Sequence, residues 1–189
     1  MTRYATILIA AFLALTADFA SAAEVAGVRV DDQAKSGNAD LVLNGAGLRK
    51  KLFFKIYVAA LYLPKKTANA GEIIDSREPR RITLHLVRDL DADALIGALK
   101  EGLQHNHSES ELAALKPDIE RFEGVMRAVG NARIGDVVGI DFSGDATVVS
   151  FNGQARGSIP GAAFGRALLK VWLGDKPADA DLKRALLGG

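Results

Sequence analysis

The chain of 189 residues contains no cysteine, which excludes disulfides, thiol nucleophiles and thiolate metal sites. It has only 3 histidines, so a histidine-rich metal centre has little to draw on. Charge of one sign is also missing: 24 Lys+Arg stand against 23 Asp+Glu, for a net charge of +1. Balance of that kind leaves no overall electrostatic footprint for nucleic acid or for an anionic membrane surface. No apolar run is long enough to cross a bilayer comfortably, the longest being the N-terminal stretch from Ala5 to Ala17. The usual catalytic signatures are absent as well. "GAGLRK" lacks the spacing of a phosphate loop, "NGAGL" lacks the third glycine of a dinucleotide fingerprint, and no G-x-S-x-G elbow occurs.

What is present begins with an address. Arg3, the apolar run, and Ala20-Ser21-Ala22 follow the order of a secretory signal peptide. Residues 1–22 are therefore expected to be removed after Ala22, leaving residues 23–189 as one domain in an exported, periplasmic protein with no stable membrane insertion. A chain without disulfides must then be held by its core.

Periodicity outlines that domain. "LVLNGAG" predicts a short strand closing in a glycine turn at Gly45 and Gly47. From Leu52 to Leu63 the even positions Leu52, Phe54, Ile56, Val58 and Ala60 are apolar, predicting a strand with one buried face and a second, partly polar face bearing Lys55 and Tyr57. "RITLHLV" alternates in the same way. Leu95, Leu99 and Leu103 then define a helix behind a capping Asp. A second helix, from about Ser108, carries Leu112, Leu115, Ile119, Phe122 and Met126, with Pro117 expected to bend or split it. "DVVGIDF" and "ATVVSF" predict strands, and Asn152-Gly153 a type I′ hairpin turn to the next. "AAFGRALLKVWLG" reads as a helix ended by Gly174 at C′, with a last short helix behind it. The expected fold class is α+β, with helices layered on one face of an antiparallel sheet.

Few residues offer chemistry. His105 and His107, with Glu109 and Glu111, lie in a connector between helices and lack a third ligand, so no metal is expected. Arg49 is of more interest: a guanidinium stays charged when partly buried and presents several donors to a carboxylate or phenolate. Spacing alone nevertheless favours a solvated cationic turn with Lys50 and Lys51. Tyr57 fits equally a hydroxyl on the same anion and a core aromatic.

"LNGAGLRKKLFFKIYVAALYLP" resembles the segment of chalcone isomerases and their relatives in which a glycine-alanine-glycine stretch precedes an arginine and a long strand. "ALLKVWLGDKPADADLKRALLG" is similar to that family's final helices, and "SIPGAAFGRALL" and "RDLDADALIGALKEGLQHN" look like its bacterial, exported branch. The resemblance spans nearly all of the chain after the signal. It implies a curved antiparallel sheet covered on one face by helices, and a cleft between them for a small apolar or aromatic anion. It implies no cofactor. Members either cyclise a phenolic enone or bind fatty acids, and both uses employ the arginine at the position of Arg49. The resemblance thus makes Arg49 and Tyr57 the candidate catalytic or anion-holding pair. Phe54, Ile56, Val171 and Trp172 are the walls against the ligand body, and Asn106 is the counterpart of a helix-borne asparagine. Tyr57 and Val171 stand where the plant enzymes have threonines, which leaves an anion hook without their proton-handling network.

Overall fold

A computed structural model describes residues 22–189. The expected export signal therefore falls, up to its last residue, outside the described residues. Strands β1 (Ala22–Val25) and β2 (Val28–Asp31) form a small hairpin. Next come β3 (Gln33–Ser36), β4 (Ala39–Lys51), β5 (Phe54–Leu63), helix α1 (Ala70–Asp75) and β6 (Arg80–Leu86). Helices α2 (Ala92–Asn106) and α3 (Glu109–Val129) follow, then β7 (Val137–Ser143), β8 (Ala146–Phe151) and β9 (Gln154–Pro160). Helices α4 (Ala162–Leu173) and α5 (Ala180–Leu186) close the chain. β3 to β9 form one curled seven-stranded antiparallel sheet in sequence order. The expected α+β class is what is seen.

Helices lie over one face of the sheet. Tyr57, Ala59 and Leu61 of β5, Ile82, Leu84 and Leu86 of β6, and Val138 and Ile140 of β7 meet Leu95, Leu99, Phe122, Phe164, Leu168 and Trp172 in the main core. A smaller core on the opposite face joins Val58, Ala60 and Tyr62 to Leu41 and to Val30 of the β1–β2 hairpin. Both faces of β5 are thus buried from Val58 onward, which is why that stretch is nearly all apolar. The expected split into one buried and one polar face is corrected here. Leu52 and Phe54, placed on the buried face by alternation, are 83% and 57% exposed at the hairpin end.

Local signals set the helix ends. Asp91 caps α2 by accepting from the Ala94 N–H, and Ser108 and Glu111 form a reciprocal capping box at α3. Pro117 sits inside α3, which continues as a single helix to Val129. Asn152 and Gly153 have φ of 49° and 78°, as a type I′ turn requires.

The glycine turn is not there. β4 runs straight through Gly45, Ala46 and Gly47, and the chain reverses only at Leu52-Phe53. The glycines make room for α5 instead. A Cβ on Gly45 would lie 2.0 Å from the Ala185 carbonyl oxygen, and one on Gly47 2.7 Å from the Ala185 Cβ. Gly174 is similarly reassigned: its φ is −70°, available to any residue, but a Cβ would lie 2.3 Å from Asn106 Oδ1.

Candidate functional site

Arg49 lies directly opposite Tyr57 across the β4–β5 ladder, on the helix-covered face that Gly45 and Gly47 also occupy. α5 packs along the two glycines, and its N-cap Asp179 accepts a hydrogen bond from the Lys50 N–H at 3.0 Å. α5 thus begins beside Lys50, the residue after Arg49. A β-bulge between Arg49 and Lys50 leaves Ile56 as the extra residue on β5. A bulge re-aims side chains, and here Ile56 and Tyr57, though adjacent in sequence, line one cavity.

That cavity, of about 340 Å³, lies between the end of β4–β5 and α2. Ala94, Gly97 and Ala98, small residues on one side of α2, leave the room; Leu90, Leu95 and Ile56 make it apolar. Lys51 and Glu101 flank it from β4 and α2 and pair at 3.3 Å. A second hollow of only about 10 Å³, walled by Leu84, Leu99, Met126, Val138 and Ile140, shares Arg49, Tyr57, Leu95 and Ala98 with the first. Arg49 and Tyr57 therefore stand where an outer cleft meets the core.

The polar groups at that junction are underused. Arg49 is 7% exposed, yet no carboxylate among the described residues lies within 4 Å of it, and its Nε–H has no partner. Its Nη1 donates only a long bond of 3.5 Å to the Tyr57 hydroxyl, with the guanidinium carbon 5.6 Å from the ring centre. Tyr57 also accepts from Trp172 Nε1 at 2.9 Å. Its oxygen thus receives two bonds while its own O–H finds no acceptor among the described residues. Burial pushes the Tyr57 hydroxyl above the usual tyrosine range, against the opposing pull of Arg49 and Trp172, so it stays protonated at neutral pH. A buried cation and a phenol, each with a donor to spare, face a cleft that is otherwise largely apolar. Leaving such donors unmade is costly.

Of the residues singled out from sequence, Arg49, Tyr57 and Ile56 meet at the cleft. Trp172 stands behind it, 1% exposed, orienting Tyr57 rather than lining the space. Phe54, Val171 and Asn106 do not join them. Phe54 lies outside, its ring under the Arg88 guanidinium at 4.8 Å. Val171 is 1% exposed and packs against the bare backbone of Gly102. Asn106 spends its amide on structure: Nδ2 donates to the Gly102 and Lys176 carbonyls, and Oδ1 accepts from the Lys176 N–H. Sequence reading missed Leu90, Ala94, Gly97, Ala98, Lys51 and Glu101. The small residues spaced along one side of α2 were the available signal.

A curled antiparallel sheet under helices, with a buried arginine at a cleft between the layers, defines the α+β class of this chain. The model of the family described as "Chalcone isomerase-like" matches residues 22–188, and the chain belongs to that family. Among solved structures it is similar to a fatty-acid binding protein of Arabidopsis thaliana, with a TM-score of 0.67 and 16% identity over 85% of this chain and 92% of that one. At that identity the likeness shows the fold. No curated protein matches.

Proposed function

We propose that this protein binds a small apolar anion, a fatty acid or aromatic acid, with the acid group on Arg49 and Tyr57 and the body along Ile56, Leu90 and Leu95. The observation that carries the reading is the Arg49 cation buried at a mainly apolar cleft, with no carboxylate or carbonyl acceptor among the described residues and only the Tyr57 oxygen at 3.5 Å, beside a Tyr57 O–H that has no acceptor either. Family membership and the fold shared with a plant fatty-acid binding protein support it. Binding is favoured over isomerisation of a phenolic enone because, among the residues lining the cleft, Tyr57 supplies the only hydroxyl and the only carboxylate, that of Glu101, is held by Lys51 at 3.3 Å. Proton transfer at two places on a substrate needs more than that. The bulk of a long chain exceeds the inner hollow, so the ligand body occupies the outer cleft or parts α2 from the sheet.

The test is native mass spectrometry with palmitate. One equivalent on the wild type and loss of the adduct in Arg49→Met is the expected result; no adduct on the wild type refutes the reading. The export signal expected over residues 1–22 makes this a periplasmic carrier of a bacterial, exported branch of the family. A mature N-terminus at Ala23 supports that placement, and an intact Met1 refutes it.

A further inference from the structure

The exposed large hydrophobic residues among the described residues are Leu52, Phe53, Phe54 and Ile134, at 83%, 98%, 57% and 68% exposure. Single exposed apolar residues are ordinary; these four share one end of the sheet. Leu52 and Phe53 form the β4–β5 turn. Ile134 precedes Gly135, whose N–H bonds Leu86 at the end of β6, next to Val87, whose N–H bonds the Ile56 carbonyl of β5.

Two further features mark this rim. Lys50, Lys51 and Lys55 flank the tip and are exposed; Lys51 pairs with Glu101, while Lys50 and Lys55 have no ion pair among the described residues. The nearby carboxylates of Asp89 and Asp136 accept from the Ile134 and Arg133 N–H groups respectively. Leu52 also holds φ of 56°, a left-handed conformation in which glycine or asparagine is at ease and leucine is strained. Strain is retained here at an apolar side chain that is left mostly in solvent.

We infer that this rim docks on an anionic phospholipid surface, with Leu52 and Phe53 entering the interface and Lys50 and Lys55 meeting the headgroups. Aromatic and leucine side chains ringed by cations are the combination such an interface takes up. A soluble protein partner accounts less well for bare lysines around a protruding apolar tip, since lysine is depleted at protein interfaces. Docking sets the cleft beside the bilayer, because Lys51, adjacent to Leu52, lines the cleft and pairs across to α2. Resting on the ligand reading above, this lets an apolar acid, which partitions into membranes, reach Arg49 without crossing water.

Vesicle flotation of ligand-free protein tests the docking by itself. The wild type is expected to float with phosphatidylglycerol-containing vesicles and much less with pure phosphatidylcholine. Leu52→Asn/Phe53→Ser should lower partitioning on the order of tenfold or more, and Lys50→Gln/Lys55→Gln about fivefold per lysine. The tip variant should melt no lower than the wild type, because asparagine accepts the left-handed position, and should still bind cis-parinaric acid in solution. Equal flotation of the tip variant and wild type overturns the inference, as does a wild type that binds cis-parinaric acid but never floats. Concentration-dependent self-association lost in the tip variant, without flotation, also overturns it and assigns the tip to a second copy. Retained flotation without acid uptake sustains the docking and refutes the ligand reading.

Discussion

Among the described residues two arginines are buried, and they are used in opposite ways. Arg80 is 4% exposed, with its guanidinium 5.9 Å from the Phe142 ring centre; Arg49 is 7% exposed and 5.6 Å from that of Tyr57. Both leave Nε without a partner. The difference lies at Nη1. Arg80 donates to the Ile73 and Ile74 carbonyls at 2.6 and 3.1 Å, closing the C-terminal end of α1, where unpaired carbonyls need a donor. Arg49 meets only a tyrosine oxygen at 3.5 Å that Trp172 already occupies. Burial alone therefore does not mark a site. The distinguishing feature is what the buried charge has left to donate, and toward what kind of space.

That contrast can be broken at either arginine. The larger effect on stability belongs to Arg80: Arg80→Met strands the Ile73 and Ile74 carbonyls and should cost about 2 kcal/mol of folding stability, read by urea unfolding. If Arg80→Met and Arg49→Met destabilise equally, the two residues are not different in kind. A smaller effect separates their aromatic partners. Phe142 cannot titrate, whereas burial raises the hydroxyls of Tyr57 and Tyr62, the latter pushed up to about 12 with Asp31 assisting. Raised values mean that the folded state holds these protons more tightly than the unfolded chain. Both contributions are intact below pH about 10; that of Tyr62 is lost as pH rises toward about 12, and that of Tyr57 is lost in the same direction. Unfolding followed by circular dichroism should thus coincide with tyrosinate absorbance above pH about 10. Full tyrosinate formation in a chain that stays folded contradicts this burial.

Much of the scaffold was legible because it is written locally. Asp91, Ser108 and Glu111 announce their helices, and Asn152-Gly153 its hairpin, since each acts on backbone within a few residues. The elements missed are those made by distant partners. β1, β2 and β3 lie in a polar stretch where pairing, rather than residue type, makes the strand, and α1 is a six-residue helix with only Ile73 and Ile74 buried, too short to show a period. Gly45 and Gly47 signal a turn in isolation; their role depends on α5, whose Leu186 carbonyl accepts from Asn44, 142 residues earlier.

The site was legible in part for the same reason. Arg49 and Tyr57 could be named from the resemblance, and strand register puts them opposite one another. Alternation misplaced Phe54, because the bulge at Ile56 and the reversal at Leu52-Phe53 interrupt the period of two. Val171 and Asn106 lie on helices whose rotation against the sheet no single-sequence period fixes. A net charge of +1 also conceals Lys50, Lys51 and Lys55 gathered at one hairpin end.

The most direct measurement is a fatty-acid titration and a thermal melt on the same Arg49→Met protein. Loss of the charge should weaken palmitate on the order of tenfold to a hundredfold, while the melt stays level or rises because a poorly paired buried cation has been removed. Unchanged affinity, or a sharp fall in the melt, would show that Arg49 supports the fold rather than holding the ligand.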